Sequence, residues 1–487
     1  MLKKALFLIF IGLIPLKTRG ETPDVNLIST SHVLHLTSKD PLSYTATTGT
    51  LPVANREGED VADLFFISYT VPSEDNRPVT FLFPGGPGGS CAAEVMCTIG
   101  PRRLLTPKEG KSLLPPYKII DNPETLLPWT DLVFIDPVNT GFSQFNEEAE
   151  SSDIQDFLSV DGDIASLGNF IQNFVSYFQR WNSPKYLGGI SYGTLRSCGL
   201  TEYLRRFDFS VHGIILLGSA IDFSVLLSQK NQMLPDCLLI PTFAATAWYH
   251  GRLLPDQPLE EVIEYARRFS YENYAPVMLE PTRLSFPEQT AFYNQLAETI
   301  GLPIETVHRY CGRFDEQLYT TEFMASERKL IGGLDTRYIG DLVGIERYYF
   351  EDPSYKDMQG ILCAFNDYLQ KELNLNKPFT PYCSFANQPW NFSSYDSISW
   401  PDVLQRVRRT LIQNPQMKIF SGSGYYDCRT PFAATEYCFE HLELPPSYKK
   451  NLQFEYYEGG HGFIFDYPCL QKLHKDLVIF YERNMQP

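Results

Sequence analysis

The sequence predicts an α/β fold: a mostly parallel sheet with helices on both faces, interrupted by a largely helical insertion. Three observations carry this reading. Short apolar runs recur at Val79–Phe83, Leu132–Ile135, Tyr186–Gly188 and Ile214–Leu217, each ending in small or turn residues. Between the second and third, Ile164, Leu167, Ile171, Phe174 and Phe178 recur at helical spacing, with Asp161 and Asp163 near the start. Short buried strands alternating with amphipathic helices imply parallel pairing. The character then changes near Asp222. From there to about Trp400 the chain reads as helices and loops, before strand-like runs return at Met417–Phe420 and Phe454–Tyr457.

Each element has its own grounds. Residues 1–20 open with Lys3 and Lys4, continue through an apolar run from Ala5 to Leu16, and end in the small residues Thr18 and Gly20. That is the pattern of a cleaved export signal, and the run is short for a membrane anchor. Tyr44–Val53 and Leu64–Val71 read as further strands, and Thr194–Arg206 as a helix. In the insertion, Leu259, Val262, Ile263, Ala266 and Phe269 form one helical stripe, with Asp256 as candidate cap and Pro258 in the first turn. Phe292, Leu296 and Ile300 form another, between Ser285 and Gly301, and Leu470, Leu473, Leu477 and Tyr481 close the chain as a helix. The expected organisation is a leader (1–20), the first part of an α/β domain (21–221), a helical cap (222–400) and the rest of the domain (401–487).

Composition excludes several classes. With 43% hydrophobic and 20% charged residues the chain is neither disordered nor collagen-like. A net charge of −17 repels phosphate backbones, so nucleic acid is not an expected partner. After the leader no segment is apolar enough to span a bilayer. The ten cysteines show no C-x-x-C metal pattern. Cys91 and Cys97 are a candidate local disulfide, with buried thiols as the alternative.

The sharpest chemical signal is Gly189-Ile190-Ser191-Tyr192-Gly193, between a strand and a helix. A nucleophile elbow needs that context, because the tight turn crowds both sides of the serine and lifts its hydroxyl above the sheet. The alternative is a Gly-rich turn without chemistry. A serine needs a base, and the base an orienting carboxylate. Asp427 and His461 follow in that order, each on a loop after a strand-like run. His474 is a rival base within the last helix, and Asp136 a rival acid that more simply fixes the Asp136-Pro137 turn. An oxyanion needs two amide donors: the Tyr192 amide, and one from the Gly-rich loop Pro84–Ser90. That loop lacks the Lys of a phosphate-binding loop.

These residues resemble the serine carboxypeptidase family, its bacterial branch in particular. The matching stretches are Gly85–Gly88, Gly100–Arg103, Asp131–Pro137 followed by Gly141–Ser143, Ser191–Thr194, Thr246–Gly251, Tyr425–Asp427 and Gly460–His461. The resemblance implies an α/β-hydrolase fold, acyl-enzyme chemistry on peptides, and no metal or organic cofactor. Carried over by motif, Ser191 is the nucleophile, His461 the base, Asp427 its orienter, and Gly86 and Tyr192 the oxyanion donors. Gly85, Pro84 and Ile190 fall at the substrate-binding positions. Pro84 and Ile190 stand where the family has the Asn and Glu that hold a substrate's C-terminal carboxylate, and Thr98 where many members have a further Glu. The resemblance therefore implies hydrolysis without implying C-terminal exopeptidase specificity. A serine esterase or acyltransferase on peptides or small acyl substrates, and a non-catalytic exported binding protein of this fold, are the alternative functions. Periplasmic or secreted localisation is expected from the leader.

Overall fold

The computed structural model describes residues 25–36, 40–74, 76–105, 115–229, 232–342, 352–358, 360–377, 380–386, 389–394 and 400–485. The predicted leader lies outside them. The main sheet comprises β1 (Leu27–Leu34), β2 (Leu42–Ala54), β3 (Asp60–Thr70), β4 (Val79–Phe83), β5 (Asp131–Ile135), β6 (Lys185–Ile190), β7 (Gly213–Leu217), β8 (Lys418–Gly424) and β9 (Leu452–Tyr457). Gln144–Phe145 adds a short strand beside β3. The order across the sheet is β1-β2-β3-β5-β4-β6-β7-β8-β9. The first three strands form an antiparallel meander, and β3 pairs antiparallel with β5. From β5 to β9 every pairing is parallel.

Strands β4, β5 and β7 are buried at every position, which is why they read as unbroken apolar runs instead of alternating ones. After β4 the chain places β5 on one side, then β6 on the other. The order reverses there, so the helices that follow β4 and β6 pack on opposite faces of the sheet. Such a switch point opens the crevice in which open α/β sheets bind ligands.

Helices α1 (Ala92–Cys97), α2 (Val160–Tyr177), α3 (Tyr192–Arg205), α4 (Leu234–Tyr249), α5 (Leu259–Arg268), α6 (Phe286–Ile300), α7 (Ile361–Lys371), α8 (Leu404–Gln413), α9 (Phe432–Glu440) and α10 (Tyr467–Asn484) complete the frame. α2, α3, α8 and α9 share one core with the sheet. α1, α7 and α10 share a second. In α2 the cap is Ser159, ahead of the two aspartates the sequence pointed to, and its Oγ accepts from the Gly162 amide at 3.1 Å. In α6 the ends fall where the sequence places them, with a Ser285/Glu288 capping box and Gly301 at φ +68°. In α5 the cap is Pro258, not Asp256: its fixed φ already suits the entry to the helix.

Two expectations need correction. The insertion is not one helical cap over 222–400. α4, α5 and α6 share a core of their own, but α7 packs into the second sheet core, where Tyr368 and Tyr69 join hydroxyls at 3.0 Å. Beyond α7, Cys383, Phe385 and Asn391 form β-bridges to Gly141, Gly89 and Ser159. Among the described residues the apolar face of α7 is buried in the second sheet core, so the chain returns to the sheet well before residue 400. The Cys91–Cys97 disulfide is also absent, and both thiols are free. They sit at opposite ends of α1, six residues or about 9 Å of helix apart, beyond disulfide reach. Among the described residues no helix is long and apolar enough to cross a membrane.

Candidate active site

Ser191 occupies the turn from β6 into α3 at φ +55°, ψ −125°, a conformation that non-glycine residues adopt at a cost. Its amide donates to Leu217 O at 2.9 Å, and its carbonyl accepts from the Thr194 amide (2.9 Å) and hydroxyl (2.6 Å). Both flanking glycines are obligatory. A Cβ on Gly189 would lie 2.0 Å from Gly193 O, and one on Gly193 would lie 2.3 Å from Phe83 O. The Gly-rich loop after β4 arrives at the same place, since a Cβ on Gly85 would lie 2.8 Å from Ser191 Cβ and 3.3 Å from Oγ. Ser191 and Gly85 are half-buried and Gly86 is exposed, so the crevice is open to a ligand there.

Asp427, fully buried, follows β8, and His461 follows β9. His461 Nδ1 lies 2.9 Å from Asp427 Oδ2. The other carboxylate oxygen accepts the amides of Arg429 (2.8 Å) and Thr430 (2.9 Å), which locks its direction. The ring of His461 lies against Gly218, within 3.3 Å of where a Cβ would project, and so at the end of β7 whose Leu217 holds the Ser191 amide. Burial pulls the His461 pKa down, but the charge and hydrogen bond of Asp427 outweigh it and leave the ring more basic than an ordinary histidine.

Sequence reasoning missed three neighbours. Thr430 Oγ1 donates to Asp427 Oδ2 at 2.5 Å and lies 3.1 Å from His461 Nδ1. Its signal was the spacing, a Thr three residues after an Asp at a helix entry, close enough to fold back. Glu316, pushed up to about 7 by burial, pairs at 3.0 Å with Arg429 beside Asp427. Glu94, on α1, is buried with Oε2 unpartnered among the described residues. Burial pushes its carboxyl up to about 8, against the opposing pull of its own backbone, Arg196 and the Gly85 backbone. These two arise from long-range burial and leave no local sequence signal.

The rival residues are engaged elsewhere. His474 packs edge-on against Trp129, 5.4 Å between ring centres. Asp136 accepts from the Cys91 amide (2.8 Å) and the Tyr382 hydroxyl (2.8 Å), tying α1 to the loop after β5. Pro84 is buried, and Ile190 is half-buried against the second core. Neither supplies a polar side chain to the crevice. Of the nearby arginines, Arg102 is held by Glu372 and Asp121, Arg103 stacks 4.2 Å over Tyr467, and Arg196 is wholly buried on Asp163. Trp248 donates to Gln257 O and packs between cores, whereas Tyr249 is exposed beside Tyr426, 5.3 Å between centres.

Sheet order, the strained serine turn and the buried Asp–His pair together define an α/β-hydrolase-fold protein. The sequence model of the serine carboxypeptidase family matches residues 38–196, the stretch that holds the Gly-rich loop and Ser191. Among solved structures it is similar to the prohormone-processing carboxypeptidase Kex1 of Saccharomyces cerevisiae. That match has a TM-score of 0.56 and 14% identity, and covers 91% of this chain and 92% of that one. Weaker likenesses are to an epoxide hydrolase of Aspergillus niger (TM-score 0.34, 12% identity, covering 90% and 78%) and to the peroxisomal α/β-hydrolase Lpx1 of S. cerevisiae (0.34, 10%, covering 96% and 91%). No curated protein matches the chain.

Proposed function

We propose that the protein is an exported peptidase that cleaves peptides through an acyl-enzyme on Ser191, and that it does so without a dedicated reader of a free C-terminus. The observation that carries the catalytic part is the 2.9 Å contact of His461 Nδ1 with the buried Asp427 carboxylate, on loops that flank the Ser191 turn. In this reading His461 takes the Ser191 proton as the hydroxyl attacks the peptide carbonyl, then returns it to the leaving amine. Asp427 holds the tautomer and stabilises the imidazolium. The amides of Gly86 and Tyr192 receive the oxyanion. Water then attacks the acyl-enzyme by the same route.

The second part rests on absent chemistry. Pro84 and Ile190 offer no hydrogen bond to a carboxylate, and a charged group left beside Ile190 is desolvated without compensation. Arg102, Arg103 and Arg196 are committed to other partners. Losing two hydrogen bonds to a charged group removes about 3–6 kcal/mol of preference.

Mass identification of products from a mixed peptide library, in free-acid and C-terminally amidated forms, tests both parts, with simple acyl esters in parallel. Similar kcat/KM for acid and amide is expected. Ser191→Ala and His461→Ala should each lower kcat by several powers of ten, because the three groups act as a unit. Wild-type turnover in either folded variant refutes the triad, and a strong free-acid preference refutes the second part. Export is tested by whether the mature chain begins after residue 20.

A further inference from the structure

Arg196 lies five residues after Ser191 on α3, with its side chain fully buried. Its Nε donates to Asp163 Oδ2 of α2 at 2.6 Å, and Asp163 is equally buried. A buried ion pair is a poor device for stability alone, since apolar residues of similar volume often do as well. This pair is not even saturated: Arg196 Nη2 and Asp163 Oδ1 have no hydrogen-bond partner among the described residues. What the guanidinium does reach is the Gly-rich loop. Nη1 donates to Pro84 O at 2.6 Å and to Gly85 O at 3.3 Å.

Those carbonyls matter because of peptide planarity. The Gly85 carbonyl and the Gly86 N–H belong to one rigid plane and point in opposite directions across a trans bond. Of the described bonds only Gly86-Pro87 and Pro115-Pro116 are cis, so the Gly85–Gly86 bond is trans. Holding the Gly85 carbonyl toward α3 therefore aims the Gly86 N–H the other way. A cation on the carbonyl also polarises that amide and strengthens it as a donor. A glycine pair has little stiffness of its own, so the aim must come from outside the loop. The same guanidinium lies 4.9 Å from the centre of the Tyr192 ring, one helical turn back, and so contacts one assigned oxyanion residue directly and the other through the carbonyl of the peptide that carries its amide.

We propose that Arg196, oriented by Asp163, is a positioning residue that sets the direction of the Gly86 amide for the oxyanion. This rests on the Ser191 reading above. Arg196→Lys keeps the buried charge but loses the fork. The double variant Arg196→Met/Asp163→Asn removes both charges, so no uncompensated ion is left to unfold the chain. Each is compared with wild type at equal active-site titre, on a peptide that wild type cleaves. Removing one oxyanion donor costs about 10²–10³ in kcat, so a misaimed one should cost roughly 10–100-fold in the double variant and less in Arg196→Lys. KM should stay within about twofold, since the ground-state carbonyl makes little use of the donor. Affinity for a peptidyl trifluoromethyl ketone, which forms a tetrahedral adduct, should fall by the same factor as kcat, while that for the product peptide is unchanged. A merely structural role would lower titre or melting temperature and leave kcat per titrated site intact. Unchanged kcat and ketone affinity in either folded variant overturns the proposal. A wild type whose turnover survives Ser191→Ala overturns the parent reading instead.

Discussion

At the scale of single residues, Thr430 and Glu94 make predictions that the candidate triad alone does not. Thr430 donates to the same carboxylate oxygen that His461 contacts, so it competes for the charge that makes His461 basic. Thr430→Val should raise the His461 pKa further and move the acid limb of the kcat/KM profile to higher pH. It should also cost about 1.5–3 kcal/mol in stability through the lost charge-assisted bond. An acid limb that stays in place, measured between about pH 4 and 9 to bracket a histidine titration, would contradict this. Glu94 acts on stability. Its carboxyl ionises near 4.5 when unfolded and only near about 8 when folded. Between those values the folded state holds the extra proton. Its contribution is therefore whole below pH 4.5 and is lost as pH rises toward 8, a change on the order of 4–5 kcal/mol at 1.36 kcal/mol per unit. Urea unfolding at several pH values should show Glu94→Gln to be flatter over this window than wild type; equal slopes would place Glu94 outside the titration.

At the scale of elements, the serine turn is the most tightly specified. Gly193→Ala would push a Cβ to within 2.3 Å of Phe83 O and 2.7 Å of Pro84 O, both backbone atoms. The helix and the Gly-rich loop must then part. We expect a loss of several kcal/mol in stability, as for other overpacked sites, and a fall in fluorophosphonate labelling of the protein that still folds. Full labelling at wild-type melting temperature would mean that α3 can shift freely. The same turn was legible in the sequence because its two glycines answer a local steric demand. β4, β5 and β7 were legible because burial on both faces forces unbroken apolar runs. β1 was not, since as an edge strand it is mostly half-exposed and carries no apolar run. α4 was not, being buried almost all round with Pro241 inside, so it has no stripe to read. Nor was the Arg196–Asp163 pair, whose members are 33 residues apart on two helices and meet only after packing.

At the scale of the whole molecule, the insertion and the sheet cannot be separated at residues 222 and 400. Ile361, Phe365 and Tyr368 of α7 belong to the sheet's second core. A chain with 222–400 excised and the ends joined should show no cooperative unfolding by circular dichroism, because that core is left with a hole several side chains wide. A sharp transition with a wild-type denaturant slope would refute this. The sheet order has a further consequence, for timing on the ribosome. The Ser191 turn leans on β7, which precedes the insertion, whereas Asp427 and His461 hang from β8 and β9 at the sheet's far edge. Synthesis proceeds from the N-terminus, and parallel strands distant in sequence pair slowly. On the proposed reading, a nascent chain that stops short of residue 461 carries Ser191 without its base. The proposed proteolytic activity is thereby withheld from the chain, and from its neighbours in the cell that makes it, until residue 461 has been added.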